Sequence, residues 1–484
     1  MRFSDLPLDL LSYILDQLSE REYKSLVRVC KSLHKEATPY LYRDISLTAS
    51  NPRRCTRKLA FLLRTFLERS QLAAHVRSFR LLGNHYYWGR ENAPQKEGGL
   101  GTTQFWVLQD VKILSKAQMV LASNQFYPLV DEEMHKPLAQ FQGRNKDALA
   151  ILVLARLSQL QTLEVGDGFL TYSLYLPQIL KRANDLFPRL SHITFGDKNR
   201  EPGAEDAIAY VDLDLIRPVF YHPAVKTFEC VMPQPWRFEW KKEAPRSESL
   251  TKIHLFRTDI NRETLGRLLA GTVNLKSFHY EQELPLNATV FWPSPWRIAQ
   301  SLNINGLNAA LSYVGNTLEE CRLSLEPAPD SLSPEQLATA GWWFPPIDGT
   351  LTVLNNMKRL SKVEVPLIYI LGWFPDTAVR LERALPSNIT NLSLRDDIVG
   401  YCPWVEGFSC NKKIGHISEY VEARSVHAPQ LETLNVRLVG GKSYWLDHAV
   451  KALGSSISGP GVSQTSSTEG RTETHSWALK EQSW

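Results

Sequence analysis

Glu229, His254 and His279 come nearest, by type and spacing, to a chemical site in this chain. Each lies between the last two apolar residues of an apolar-x-x-apolar-x-apolar pattern: Val225-Phe228-Cys230, Leu250-Ile253-Leu255 and Leu275-Phe278-Tyr280. If these patterns are neighbouring strands about 4.8 Å apart, the three polar side chains stack in a column. A carboxylate and two imidazoles could hold a metal ion there. Three polar residues on a solvated sheet are the plainer reading, and the one adopted. Glu132 and His135 have ligand spacing on a helix, but a lone pair reads as a solvated face. Gly441-Lys442-Ser443 resembles the end of a phosphate loop, yet Val436 stands where that loop needs its first glycine. The chain has neither an H-E-x-x-H zinc signature nor a nucleophile elbow. No catalytic residue, metal or cofactor is therefore expected.

Tryptophan is the other chemical signal. The chain has 13, and many follow a strand pattern beside Pro or Gly, which places them in loops. Trp and Tyr are the usual anchors of protein interfaces. Trp236, Trp292 and Trp343 are the candidate target anchors, with Glu229, His254 and His279 setting register. The alternative is that the rings fold under their own loops.

The elements that must position these residues are strands. The pattern recurs as Val76-Phe79-Leu81, Leu160-Leu163-Val165, Leu190-Ile193-Phe195 and the three triplets above. It continues as Leu318-Cys321-Leu323, Leu360-Val363-Val365, Ile389-Leu392-Leu394 and Leu431-Leu434-Val436. Most intervals suit one strand and one helix per repeat. The long interval from Leu81 to Val165 needs an insertion or a further repeat; 103–122 and 145–158 both read as helical there. The residue between the last two anchors should point outward. Those residues are Arg80, Glu164, Thr194, Glu229, His254, His279, Arg322, Glu364, Ser393 and Asn435, all polar.

Upstream, residues 6–47 read as three short helices. Pro7 suits a helix start, and Leu10, Leu11, Ile14, Leu15 and Leu18 follow at helical spacing. Ser19 and Glu22 make a capping box for a second helix, striped by Tyr23, Leu26, Val27 and Cys30. Ser32 can cap a third, which Pro39 should interrupt. About 40 residues bury too little surface to stand alone, and apolar residues occupy more than one face of the first helix. A partner, or the rest of the chain, must cover them. A second amphipathic helix is predicted over 56–69, with Leu59, Leu63 and Phe66 inward.

These residues carry a resemblance. Leu6-Pro7, Ile14, Leu18, Leu26 and Val29-Cys30-Lys31 are similar to the F-box signature. Tyr23, Leu33 and Leu41-Tyr42 depart from it. The repeats that follow resemble those of leucine-rich-repeat F-box proteins, without the family's Asn ladder. The resemblance implies that Leu6, Pro7, Leu10, Ile14, Leu18, Leu26, Val29 and Cys30 bind a Skp-family adaptor, and through it a cullin. The implied fold is α/β: a three-helix F-box (1–50), a linker helix (51–72), an irregular leucine-rich-repeat horseshoe that binds a protein target (73–453) and a disordered Ser/Thr/Gly tail (454–484). The implied function is substrate recognition in a Skp–cullin–F-box ubiquitin ligase. The alternatives are an F-box scaffold that does not promote ubiquitination and, from another class, an enzyme using Gly441 to Ser443.

Composition agrees with a protein-binding role. The 484 residues are 43% hydrophobic, and 55 basic against 51 acidic residues give a net charge of +4. That balance argues against nucleic acid as partner. No apolar run reaches the ~18 residues of a membrane span; Ala148 to Ala155 reads as a buried helix. An F-box this close to Met1 leaves no room for a signal peptide. Six scattered cysteines suit a reducing compartment, so a cytoplasmic or nuclear location is expected.

Overall fold

The computed structural model describes residues 6–49, 52–83, 146–170, 176–196, 213–232, 238–240, 243–258, 260–284, 302–327, 347–374, 376, 378–398, 407–439, 463–469 and 472–479. It is mixed α/β, with N-terminal helices followed by parallel strands. The chain divides into two compact units, residues 1–200 with 206–228 and residues 201–205 with 229–484.

The first unit opens with α1 (Leu8–Asp16), α2 (Glu20–Leu26) and α3 (Lys31–Arg43). Pro7 stands just outside α1, and its carbonyl accepts the first helical bond from Leu11 N–H at 3.0 Å. The Ser19–Glu22 box forms: the Glu22 carboxylate accepts from Ser19 N–H (2.6 Å) and from its hydroxyl (2.7 Å). Two expectations for α3 are corrected. Its cap is Cys30, whose extended backbone starts the helix at Lys31 and whose Sγ accepts from Leu33 N–H. Ser32 is already inside the helix. Pro39 does not interrupt α3, which runs through it to Arg43. The one carbonyl that Pro39 leaves unbonded belongs to exposed Lys35, where solvent can serve it.

α3 runs directly into a strand, β1 (Asp44–Ala49). It pairs in parallel with β2 (Ser78–Gly83), Ile45 opposite Phe79 and Leu47 opposite Leu81. Tyr42-Ile45-Leu47 fits the repeat pattern, but its first anchor is helical and so hides the strand. Between them runs α4 (Pro52–Glu68), longer than predicted. It lies on β1 and on α5 (Lys146–Leu154), with Leu59, Leu63 and Phe66 buried. β3 (Thr162–Val165) and β4 (His192–Phe195) follow, and the bound between the units falls within β5 (Thr227–Val231). β2 pairs directly with β3, Phe79 opposite Leu163, so the interval from Leu81 to Val165 is an insertion between neighbours.

The second unit continues the pattern with β6 (Lys252–Thr258), β7 (Ser277–Leu284), β8 (Glu320–Pro327), β9 (Lys362–Pro366), β10 (Asn391–Asp396) and β11 (Thr433–Val439). Each pairs in parallel with the next, and equivalent anchors face one another: Ile253, Phe278, Cys321, Val363, Leu392 and Leu434 form one row. Every anchor of the ten triplets read from the sequence is buried. α6 (Arg262–Ala270), α7 (Ile304–Ser312) and α8 (Gly407–Glu422) lie between strands. Asn261 and Asn303 cap α6 and α7 in the usual way, each Oδ1 accepting a backbone N–H at 2.8 Å.

Polar residues beside the first anchor tie successive repeats together. Asn274 and Asn388 donate to carbonyls of the preceding repeat, at Glu248 and at Lys358 and Leu360. Ser191, Ser361 and Thr390 do the same with their hydroxyls. Sequence reasoning found no Asn ladder; short stretches of one exist, shared between Asn, Ser and Thr.

The C-terminal tail departs from expectation. Ser463–Glu469 (β12) and Thr472–Ala478 (β13) form an antiparallel hairpin, and β13 pairs antiparallel with β11. Trp477 and Leu479 are buried. Ser/Thr content alone suggests disorder, but Thr is a good strand former. Glu469 pairs with Thr472, so only Gly470 and Arg471 separate the strands in sequence, a glycine-first hairpin spacing.

Candidate functional site

Two surfaces merit attention, one in each unit. In the first, α1 has two apolar stripes. Leu11 and Leu15 are buried with Ala37, and Leu18, Tyr23, Leu26, Val27 and Tyr40 pack around them. One residue round, about 100° on a helix, Leu10 is 53% and Tyr13 68% exposed, with Ile14 half-buried between the stripes. At the α2–α3 turn Val29 is 67% exposed, beside exposed Cys30. Of the predicted adaptor residues, Pro7, Leu10, Val29 and Cys30 are therefore exposed. Leu6, Ile14, Leu18 and Leu26 are half-buried, the last two packed on the core. Tyr13 was missed, although its i+3 spacing from Leu10 was a signal.

The stripe is held in place by polar contacts. The Tyr23 hydroxyl donates to the Leu15 carbonyl, and its ring stacks on Tyr40 at 5.9 Å. Burial, and then the charge of Asp16, push its pKa up, so it stays a neutral donor. Arg43, at the α3–β1 junction, donates to Asp16 of α1 at 2.6 Å. The face of α1 is thus tied to the start of the strands.

In the second unit, the polar face brings His254 and His279 together. They are directly opposite on β6 and β7, with ring centroids 4.8 Å apart, edge to face. His254 Nε2 lies 2.7 Å from Glu281 Oε1. His279 Nε2 lies 3.4 Å from Glu320 Oε1 and 3.3 Å from Ser277 Oγ. Burial, then the neighbouring His254, lower the His279 pKa to about 4, so its imidazole is neutral near pH 7. Burial works against the Glu320 carboxylate, but the Ser277 hydroxyl and Arg322 outweigh it and hold its pKa down. Glu320 meets the same His279 nitrogen that faces Ser277, so it cannot orient the imidazole from its other nitrogen as a Ser–His–acid triad requires. Among the described residues no three His, Cys, Asp or Glu side chains converge as metal ligands.

Further along this face lies an ionic cluster that sequence reasoning did not single out. Glu364 accepts from Arg395 at 2.8 Å and Arg437 at 2.7 Å. Arg395 Nε also donates to both oxygens of Asp397, at 3.0 and 3.1 Å, and Asp397 Oδ2 accepts in addition from Leu325 N–H at 2.7 Å. Burial would raise the Glu364 pKa, but the two guanidinium groups hold it low. Equivalent repeat positions supply Glu364 and, one pleat along, Arg395 and Arg437; that spacing was the available signal.

The outward column is not uniformly solvated, which corrects the sequence expectation. Thr194, Glu229, His279 and Ser393 are buried. Ser393 sits in register between Glu364 and Asn435, both with longer side chains. His279 is covered by the contacts described above. Trp236, Trp292 and Trp343 lie outside the described residues, as do Glu132, His135 and Gly441 to Ser443. Two other loop tryptophans are described: Trp373 is buried, and Trp240 packs edge to face on Phe238 at 4.7 Å. Trp240 is half-buried and also reaches Gly271, at the end of α6.

Residues 3–48 match the F-box-like family model. F-box domains in general bind Skp-family adaptors in the ubiquitin pathway, and they act as adaptor modules rather than enzymes. No curated protein matches the chain. Among the described residues, no helix is long and apolar enough to cross a membrane.

Proposed function

We propose that this chain is the substrate-recognition subunit of a Skp–cullin–F-box ubiquitin ligase. The observation that carries the reading is the second apolar stripe of α1. Leu10 and Tyr13 are exposed while Leu11 and Leu15 fill the core, within the segment that matches an F-box-like domain. Exposed aliphatic and aromatic side chains on so small a helical unit call for a protein partner.

On this reading residues 1–50 are the F-box and 51–72 the linker helix. Residues 73–453 form a leucine-rich-repeat solenoid that receives a protein target. In-register anchors and the Asn, Ser and Thr ties between repeats support a solenoid. The chain does no bond chemistry. It raises the effective concentration of the target near the charged conjugating enzyme, in the cytoplasm or nucleus.

The test is affinity purification of the full chain and of a Pro7→Ala/Ile14→Ala variant. The variant should lose adaptor and cullin together and keep its other partners. Unchanged adaptor recovery would refute the assignment. Target proteins that accumulate when the gene is deleted separate a ligase subunit from a scaffold that only holds partners.

A further inference from the structure

Arg262 opens α6 and is only 6% exposed, yet among the described residues it makes no ion pair. Its side chain crosses to the N-terminus of α7. There Nε donates to the Asn303 carbonyl at 3.2 Å. Gly306 of α7 lies so close that a Cβ on it would stand 2.8 Å from Arg262 Cβ. Nη2 donates to Gln282 Oε1 at 2.9 Å, and the Tyr369 hydroxyl donates to the same oxygen, also at 2.9 Å. Nη1 is buried and meets no acceptor. The Tyr280 ring, 5.4 Å away, is a weak partner for a full charge.

The neighbours supply no counter-charge. Burial raises the Tyr369 pKa although Arg262 pulls it down, so the phenol is neutral. Asp397 is close enough to act on that phenol, but its carboxylate is engaged by Arg395 and by Leu325 N–H. Both helix dipoles add to the imbalance, because Arg262 stands at the first position of α6 and its Nε reaches the first turn of α7. A buried charge without its opposite is costly. A water beside Nη1 would bring an acceptor but no charge. Helix N-termini favour anions, and a guanidinium fork matches the oxygens of a carboxylate or a phosphate. We infer that Arg262, at the joined N-termini of α6 and α7, is the binding site of a small oxyanion, a phosphate or a carboxylate, which Nη1 holds. Gln282 and Tyr369 are positioning residues that fix the guanidinium through Nη2. The site lies wholly in the second unit and is independent of the adaptor role.

The experiment follows thermal unfolding of the full chain at constant ionic strength, as chloride is exchanged for inorganic phosphate or, in a second arm, for acetate. Samples are equilibrated first, because entry to a buried site waits on local opening. A bound ligand stabilises along a saturable curve, whereas a salt excluded from the surface stabilises in proportion to its concentration. The wild-type melting temperature should rise saturably in at least one arm, by about 5 °C at about 100 times the dissociation constant. The arm that saturates identifies the oxyanion. An Arg262→Met variant replaces the lone charge by an apolar chain, so without added ligand it should melt no lower than wild type, and its saturable rise should be lost. A Gly306→Ala variant keeps the charge but pushes Arg262 from its seat, and should saturate only at higher concentration. A wild-type response that is linear in both arms overturns the inference without any variant. So does a folded Arg262→Met variant that keeps the wild-type curve.

Discussion

At the scale of single residues, His279 has the most testable chemistry. An imidazole normally titrates near 6.5, and here it is held at about 4, chiefly by burial. Between those values the unfolded chain binds a proton that the folded chain refuses. Stability linked to His279 is therefore complete above about pH 6.5 and declines as the pH falls toward 4. Linkage puts the loss at about 2 kcal/mol between pH 7 and pH 5. Glu320 and Glu364 also favour the folded state as carboxylates, so the wild-type curve alone does not isolate one group. Urea unfolding of a His279→Gln variant at both pH values should show a slope shallower than wild type by about that amount. If the two proteins lose stability in parallel, His279 titrates at its ordinary value.

At the scale of elements, α4 joins the helical unit to the strands that follow. Leu59, Leu63 and Phe66 form its buried stripe, and the Phe66 ring lies 6.3 Å from that of Tyr42, at the α3–β1 junction. Truncating a buried Phe to Ala typically removes about 3–5 kcal/mol. A Phe66→Ala variant should melt well below wild type by calorimetry; an unchanged melting temperature would mean that α4 does not anchor the first unit. This stripe was legible because helical periodicity and burial report the same thing. The anchors of β2 to β11 were legible for a similar reason, since a fixed apolar spacing repeated ten times leaves little room for accident. β1 was not legible, because α3 runs into it without a turn and its first anchor, Tyr42, is helical. Pro39 misled because local propensity is overruled when the surrounding helix packs well. The Glu364, Arg395 and Arg437 cluster was missed for another reason. The aligned triplets carried the register, but Arg395 and Arg437 follow the last anchor and so fall outside the outward positions that the pattern singled out.

At the scale of the whole chain, the row of parallel strands ends at β11, whose outer edge is paired with the C-terminal hairpin. β11 would otherwise present seven residues, Thr433–Val439, as an open edge of alternating Leu and Val. Such an edge is a template for aggregation. The hairpin covers it, with β13 paired to β11 along its whole length and Trp477 only 1% exposed. The Ser/Thr composition of 454–484 predicts a dispensable tail, and the paired strands predict the opposite. Deleting the residues after Gly454 removes a large buried aromatic and uncovers seven strand residues at once. The truncated chain should melt lower and scatter light at concentrations where the full chain does not. A Trp477→Ala substitution, which keeps the backbone pairing, should lower the melting temperature through about 3–5 kcal/mol of lost packing but leave the edge covered, and so aggregate less than the truncation. If the truncated chain melts and behaves in solution like the full one, the hairpin is not the cap of this sheet and the compositional reading stands.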